Sequence, residues 1–311
     1  MKVIFFGTSA YCLPLLESIN GNFDLSAIIT KSGESPVLQY ATEHKKNYFT
    51  LGMSKDIFDL NPKITDLKPD LGVVADFGFI IPRSIFAIPK HKTINIHFSN
   101  LPELRGSSPV QYSILFGIKN PTVAVIKMDQ SVDTGDILKI INYPEINIDS
   151  ETTKTLYEKL FQTISEDLPQ IIRDYTAGKI NAVKQKDSDA TFTRRLKRED
   201  GYIPFNVLNN FIRGNKISIS KNDFPKDSLL FQAFMKSDNS ALTLCRALRA
   251  FEPWPNVFTE LPNKKRLKIF KAYCRESRFF PESVQLEGKN EVTWKQFLEG
   301  YPEIKRHLFL P

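Results

Sequence analysis

The sequence predicts an α/β protein: a doubly wound, mostly parallel sheet followed by a smaller C-terminal β-barrel. Three observations carry this expectation. Short, almost wholly apolar runs alternate with longer amphipathic stretches through the first half, the pattern of strands buried on both faces by crossing helices. A polar, charged tract interrupts that pattern at residues 184–201, and beyond it short β-type runs recur roughly every ten residues, as in small barrels. The charge divides at nearly the same place. Residues 1–205 hold 24 basic and 24 acidic side chains, whereas residues 206–311 hold 18 and 11 and so carry the whole net charge of +7. The domains expected are therefore 1–183, a linker over 184–205, and a basic domain over 206–311.

Each element has its own signal. Val3–Phe6 reads as the first strand, and Gly7-Thr8-Ser9 turns the chain into a helix running to about Ile19, with Ser9 as its N-cap. No GxGxxG follows that strand, so the turn reads as a tight strand–helix connection rather than a dinucleotide site. Leu25–Ile29, Leu71–Ala75, Ile94–His97, Val123–Ile126 and Ile137–Ile141 read as further strands. Val37–Lys46 reads as a short helix, Pro109–Phe116 as a helix opened by its proline, and Thr155–Tyr175 as a long amphipathic helix. After the polar tract, Leu242–Phe251 is helical in pattern, and Val257–Thr259, Leu267–Phe270 and Ser283–Leu286 are strand-like.

Composition excludes several classes. With 41% hydrophobic and 25% charged residues, the chain is neither disordered nor fibrous. It has no run of about 18 apolar residues to span a membrane and no convincing signal peptide at its N-terminus, so the expected compartment is the cytoplasm. Three cysteines, Cys12, Cys245 and Cys274, form no CxxC pair, and the four histidines lack metal-ligand spacing. Free thiols in a reducing compartment and no metal are expected.

The most informative stretch is NIHFSNLPELRGSSP, residues 95–109. Asn95 and His97 stand two apart at the end of a strand, so their side chains share one face. A carboxamide and an imidazole there can hold a carbonyl oxygen as it becomes an oxyanion. Either residue alone reads equally as a structural one. The segment DQSVDTGD, residues 129–136, adds carboxylates in a turn. An aspartate facing the imidazole would orient and charge it, but the sequence alone does not bring Asp133 to His97.

These stretches, with VIFFGTSAYCLPLLESI, VVADFGFIIP and RAFEPWP in the same order along the chain, resemble the formyltransferases that use 10-formyltetrahydrofolate, most closely the methionyl-tRNA formyltransferases. The resemblance implies a Rossmann-like formyltransferase domain and an OB-like C-terminal domain. It also implies that Asn95, His97 and Asp133, the last standing 36 residues after the histidine, form the catalytic triad. The formyl donor is then 10-formyltetrahydrofolate, with no metal. Its pterin would be held by Ser99, Asn100, Leu101 and Pro102, where the family usually has Ser-Leu-Leu-Pro, and by Phe77, Gly78, Phe79 and Ile80. The acceptor amine would attack the formyl carbon, Asn95 would donate to the oxyanion, His97 would transfer a proton, and Asp133 would orient or charge the imidazole.

The acceptor implied is initiator methionyl-tRNA, for translation initiation, with a monomeric enzyme and no membrane partner. The DTGD turn, Arg105-Gly106-Ser107-Ser108-Pro109 and AFEPWP are similar to the tRNA enzymes' motifs. Independently, Lys264, Lys265, Arg266, Lys268, Lys271, Arg275 and Arg278 fall within 15 residues, a cluster able to track phosphates. Arg105, Lys264, Lys265, Arg266, Lys268 and Lys271 are the expected tRNA contacts. Two alternatives are a sugar-nucleotide N-formyltransferase sharing donor and triad, and an RNA-binding protein with a vestigial site. The chain departs from the tRNA enzymes in a short loop over residues 30–36 and in an apparent insertion over residues 209–239.

Overall fold

In the computed structural model, which describes residues 1–309, the alternating runs of the first half form a seven-stranded sheet. Its first five strands along the chain are β1 (Lys2–Phe6), β2 (Asp24–Lys31), β3 (Tyr48–Leu51), β4 (Leu71–Ala75) and β5 (Thr93–His97). The two-residue strand β6 (Arg105–Gly106) lies outside this sheet. β7 (Thr122–Lys127) and β8 (Ile137–Asn142) complete it, in the spatial order β3-β2-β1-β4-β5-β7-β8. β1 to β5 are parallel, whereas β7 is antiparallel to both its neighbours. The chain winds outward from β1 through β2 to β3, then returns to lay β4 on the other side. The switch point therefore lies between β1 and β4, where open α/β sheets place their ligands beyond the strand C-termini.

The helices of this region are α1 (Leu13–Asn22), α2 (Pro36–Glu43), α3 (Asn61–Leu67), α4 (Arg83–Phe86), α5 (Pro109–Phe116) and α6 (Thr153–Thr176). Ser9 does not cap α1. Its side chain makes no cap bond, a 3-10 turn over Ala10–Cys12 intervenes, and the helix opens only at Leu13, with Pro14 in its first turn. Ser35, by contrast, accepts from the Leu38 N–H and caps α2. One face of the sheet buries Ile4, Phe6, Ala27, Ile29 and Val74 against Ile57, Leu60, Ile64 and Ile85.

The polar tract is less of a linker than its composition predicts. β9 (Phe192–Thr193) pairs with β6. Residues up to Thr193 belong to the first of two compact units, which comprises residues 1–109, 120–146 and 157–193; the second comprises residues 110–119, 147–156 and those from Arg194 onward.

The second unit holds α7 (Phe205–Arg213), α8 (Leu229–Met235), α9 (Ser240–Ala250), β10 (Val257–Glu260), β11 (Arg266–Arg275), β12 (Arg278–Leu286), β13 (Glu291–Thr293), α10 (Trp294–Gly300) and α11 (Pro302–Phe309). The short strands expected as a small barrel form a four-stranded antiparallel sheet in the order β10-β11-β12-β13, with β10 and β13 at its edges. β13 is only three residues long because Thr293 at once caps α10, in a capping box with Gln296. The apparent insertion is the end of α7, an irregular stretch and α8, joined by ring contacts among Phe211, Phe224, Phe231 and Phe234. Asp200, 1% exposed, ties this part together: it accepts a bidentate pair from Arg194 and the N–H groups of Lys197 and Leu229.

One sequence expectation is overturned here. Cys245 on α9 and Cys274 on β11 form a disulfide, so only Cys12 is a free thiol. The pair is 29 residues apart and is brought together by tertiary packing, which cysteine spacing does not reveal.

Candidate active site

The site is built at the C-terminal end of β5. Asn95 and His97 alternate onto the same side of that strand, and both reach Asp133 in the turn between β7 and β8. Asn95 Nδ2 donates to Asp133 Oδ1 at 3.2 Å, and His97 Nδ1 lies 3.5 Å from Asp133 Oδ2. The other ring nitrogen, Nε2, lies 2.9 Å from the Leu104 carbonyl oxygen. A carbonyl only accepts, so Nε2 carries a hydrogen, and Nδ1 binds the carboxylate only when a proton is shared between them. His97 is 5% exposed. The ring is thus pinned on both sides and turned toward one carboxylate.

Asp133 is itself over-determined. Its Oδ2 accepts from the Gly106 N–H at 2.8 Å, and its backbone holds φ +56°, a region that residues with side chains seldom occupy. Two residues on, a Cβ at Gly135 would overlap the Lys127 carbonyl oxygen, so only glycine lets the turn press against β7. The 104–108 loop is anchored by residues of the polar tract. Thr191 Oγ1 accepts from the Leu104 N–H, and Thr193 Oγ1 accepts from the Ser108 N–H and donates to the Arg105 carbonyl. Sequence reasoning misses Gln185, Thr191 and Thr193, because polar side chains in a charged tract give no local signal.

Around the switch point the loops after β1 and β4 meet: Thr8 donates to the Asp76 carbonyl through both its N–H and its Oγ1. Phe77 stands edge-on to Phe6 and tilts against Phe79, while Ile80 is 77% exposed and a Cβ at Gly78 would meet nothing within 4 Å. These residues form an apolar patch beside the end of β4, with open space at Gly78. The expected loop 99–102 is only partly available to a ligand. The Ser99 hydroxyl is buried and donates to the Glu103 carbonyl, and Leu101 packs with Ala124 and Ile126. The chain turns these two side chains inward as it leaves the sheet, whereas Asn100 is exposed and Pro102 half-buried. Cys12 is also structural. Burial, with the Asp76 charge adding to it, pushes its thiol up to about 12, and Sγ donates to the Ala75 carbonyl.

The expected acceptor contacts separate into two groups. Arg105, one of the expected tRNA contacts, is 3% exposed, with Nε bonded to Gln185 and Nη2 to Asp187. Lys264 is paired with Glu260 at 3.0 Å, which holds its ammonium above the usual lysine range. Arg266 lies over the Phe258 ring, and both cations line a hollow of about 260 Å³ shared with Glu199, Glu260 and Glu287. Lys265 is exposed on the adjoining turn. On β11 a register shift between Ile269 and Lys271 leaves Phe270 without a partner on β12. Such a bulge resets the alternation, so Lys271, Tyr273 and Arg275 continue the outward face of Arg266 and Lys268, while Leu267 and Ile269 point into the core. Tyr273 stacks on Phe280, and the Arg278 guanidinium covers the Phe280 ring.

Residues 28–172 match the family Formyl transferase, and residues 232–279 match Formyl transferase, C-terminal domain. The methionyl-tRNA formyltransferase of Methylacidiphilum infernorum is 30% identical over 339 aligned positions, covering 96% of this chain and 95% of that one. The chain belongs to the methionyl-tRNA formyltransferase family. The enzyme of that name from Listeria welshimeri is 34% identical over 227 residues, covering 68% of this chain and 72% of its own. Among solved structures, the methionyl-tRNA formyltransferase of Clostridium thermocellum matches with a TM-score of 0.57 at 20% identity, covering 92% of this chain and 98% of that one. The N-formyltransferase of Helicobacter canadensis, in complex with folinic acid and dTDP-3-aminofucose, matches with a TM-score of 0.61 at 19% identity, covering 92% and 95%. These two likenesses show the fold.

Proposed function

We propose that the chain transfers the formyl group of 10-formyltetrahydrofolate to the α-amine of initiator methionyl-tRNA. It would work as a monomer in the cytoplasm, where such acceptors are made. The observation that carries the reading is the convergence of Asn95, His97 and Asp133 at the end of β5, in a chain of this family.

The bound formyl-folate supplies the carbon electrophile and its carbonyl oxygen, with the pterin against Phe77, Phe79 and Ile80. Asn95 uses one amide hydrogen on Asp133 and directs the other at the formyl oxygen as negative charge gathers there. His97, whose Nδ1 faces Asp133, would give a proton to the departing folate N10 as its bond to the formyl carbon breaks. Asp133 orients both partners and would take up, through a water molecule, the proton that the attacking amine loses, replacing the one that His97 gives to N10. The outward stripe of β11, Lys268, Lys271 and Arg275, engages phosphates of the acceptor.

A second reading, formyl transfer to an amino-sugar nucleotide, is favoured by one observation: only Ser32–Ser35 separates β2 from α2, a short connection with no basic residue for gripping an acceptor stem. Incubation with 10-formyltetrahydrofolate and either methionyl-tRNA or an amino-sugar nucleotide decides between the two. Formyl-methionyl-tRNA is the expected product; formylation of the sugar alone would overturn the reading.

A further inference from the structure

Gln185 and Arg105 lie in stretches whose sequence suggests other duties, a linker and an acceptor-facing surface. Both are buried, at 6% and 3% exposure, and both act on the turn that carries Asp133. Gln185 Nε2 donates to the carbonyl oxygens of Asp133 and Gly135, each at 2.8 Å. Its Oε1 accepts from Arg105 Nε at 2.9 Å. Because an arginine Nε only donates, this bond fixes which end of the amide faces which way, and so aims both amide hydrogens at the turn. Arg105 is steadied by Asp187. It also leads directly into Gly106, whose N–H holds the Asp133 carboxylate. A single buried amide therefore ties the backbone of the turn, while the residue after its orienting arginine ties the turn's side chain.

Resting on the formyl-transfer reading of Asn95, His97 and Asp133, we propose that Gln185, oriented by Arg105, is a positioning residue for Asp133. It locks the Asp133–Gly135 turn in its left-handed conformation and so sets the distances from the carboxylate to Asn95 and His97. The side chain bonds to backbone carbonyls and to Arg105, and its effect on chemistry passes through Asp133. The unusual backbone at Asp133 needs such a tie, since strained conformations persist only where their surroundings over-determine them.

Gln185→Met keeps the length of the side chain but leaves two carbonyls and the Arg105 Nε unpaired. With the formyl donor and methionyl-tRNA, kcat is expected to fall about ten- to a hundredfold, with KM for either substrate changed less than about twofold. In an Asp133→Ala background the same substitution should cost less than about a further twofold, because its route to the chemistry is already gone. Amide hydrogen exchange supplies a readout that needs no substrate. The Gly106 amide should lose about tenfold of its protection while the Ile96 amide in β5 keeps its own. An unchanged kcat, a full additional loss in the double variant, or unchanged Gly106 exchange would each overturn the proposal. Should Gln185→Met not fold, Arg105→Lys keeps a charge beside Asp187 but lacks the orienting Nε hydrogen, and the same outcomes apply. If the unaltered protein formylates no methionyl-tRNA, the functional reading falls, and Gly106 exchange alone decides the positioning claim.

Discussion

The two regions assigned to function are built on opposite plans. At the end of β5, polar side chains are at least partly buried and tied to one another; Asp133 alone meets Asn95, His97 and the Gly106 N–H, with Gln185 on its backbone. On the outward face of β11, Lys271 and Arg275 are exposed and reach solvent from a sheet that buries only its other face. Chemistry at a carbonyl carbon needs donors held in place before charge develops, because reorganising them would consume the stabilisation they provide. Holding a polyanion needs only charges of the right sign and spacing, and mobility costs it little. The difference predicts that substitutions in the first region act on kcat and those in the second on KM and its salt dependence.

The largest effects are expected at the site. Asn95→Ala removes the proposed donor to the formyl oxygen and should lower kcat about 10²–10³-fold. Asp133→Ala also releases the His97 ring and should be at least as harmful. Steady-state kinetics at saturating donor checks both, and near-normal turnover in either would break the comparison at its stronger end. Gly135→Ala comes next. The added methyl would overlap a backbone oxygen of β7, so the turn must lift off the strand. A loss of kcat of at least about tenfold is expected, with thermal unfolding used to separate displacement of the turn from loss of the fold.

Why the first region is largely legible in sequence and its support is not follows from the range of the interactions. Asn95 and His97 stand two apart on one strand, and strand periodicity alone aligns them. Asp133 lies 36 residues from His97, and in sequence only family resemblance ties the two; the structure brings the carboxylate to the ring because β5 and β7 are neighbours. Gln185 and Thr191 approach from a charged tract with no periodicity to mark them. They find the 104–106 loop through a two-residue strand pairing, too short for any propensity to announce. In the second region the charges are legible, but their common face is not. Lys268 and Lys271 have opposite parity in the sequence, and only the bulge at Phe270 aligns them. The same long-range packing hides the Cys245–Cys274 pair, and inward turning of the chain removes Ser99 and Leu101 from the surface.

A smaller effect is expected when the β11 stripe is neutralised. Replacing Lys268, Lys271 and Arg275 with glutamine should raise KM for methionyl-tRNA about tenfold at moderate salt and leave kcat and folate affinity unchanged. The logarithm of tRNA affinity should also depend less steeply on the logarithm of salt, by roughly 0.7–0.9 for each phosphate no longer engaged. Filter-binding across a salt series measures this slope. A slope equal to that of the unaltered chain would show that the stripe does not touch phosphate, and would leave the second region without the role that separates it from the first.

The smallest effect should come from Lys264, although it opens the densest run of basic residues in the sequence. Its ammonium is already bound to Glu260 and faces a hollow holding two further carboxylates, Glu199 and Glu287. A phosphate approaching there meets more negative charge than positive, so Lys264→Ala should change KM for methionyl-tRNA by less than about twofold. Its loss should cost little stability too, because an exposed pair of this kind contributes little. Glu260→Gln sharpens the point: releasing Lys264 from its partner should tighten tRNA binding slightly and steepen its salt dependence. If Lys264→Ala instead weakens binding as much as Lys271→Ala does, then charge density along the sequence, rather than the face each charge occupies, governs the second region.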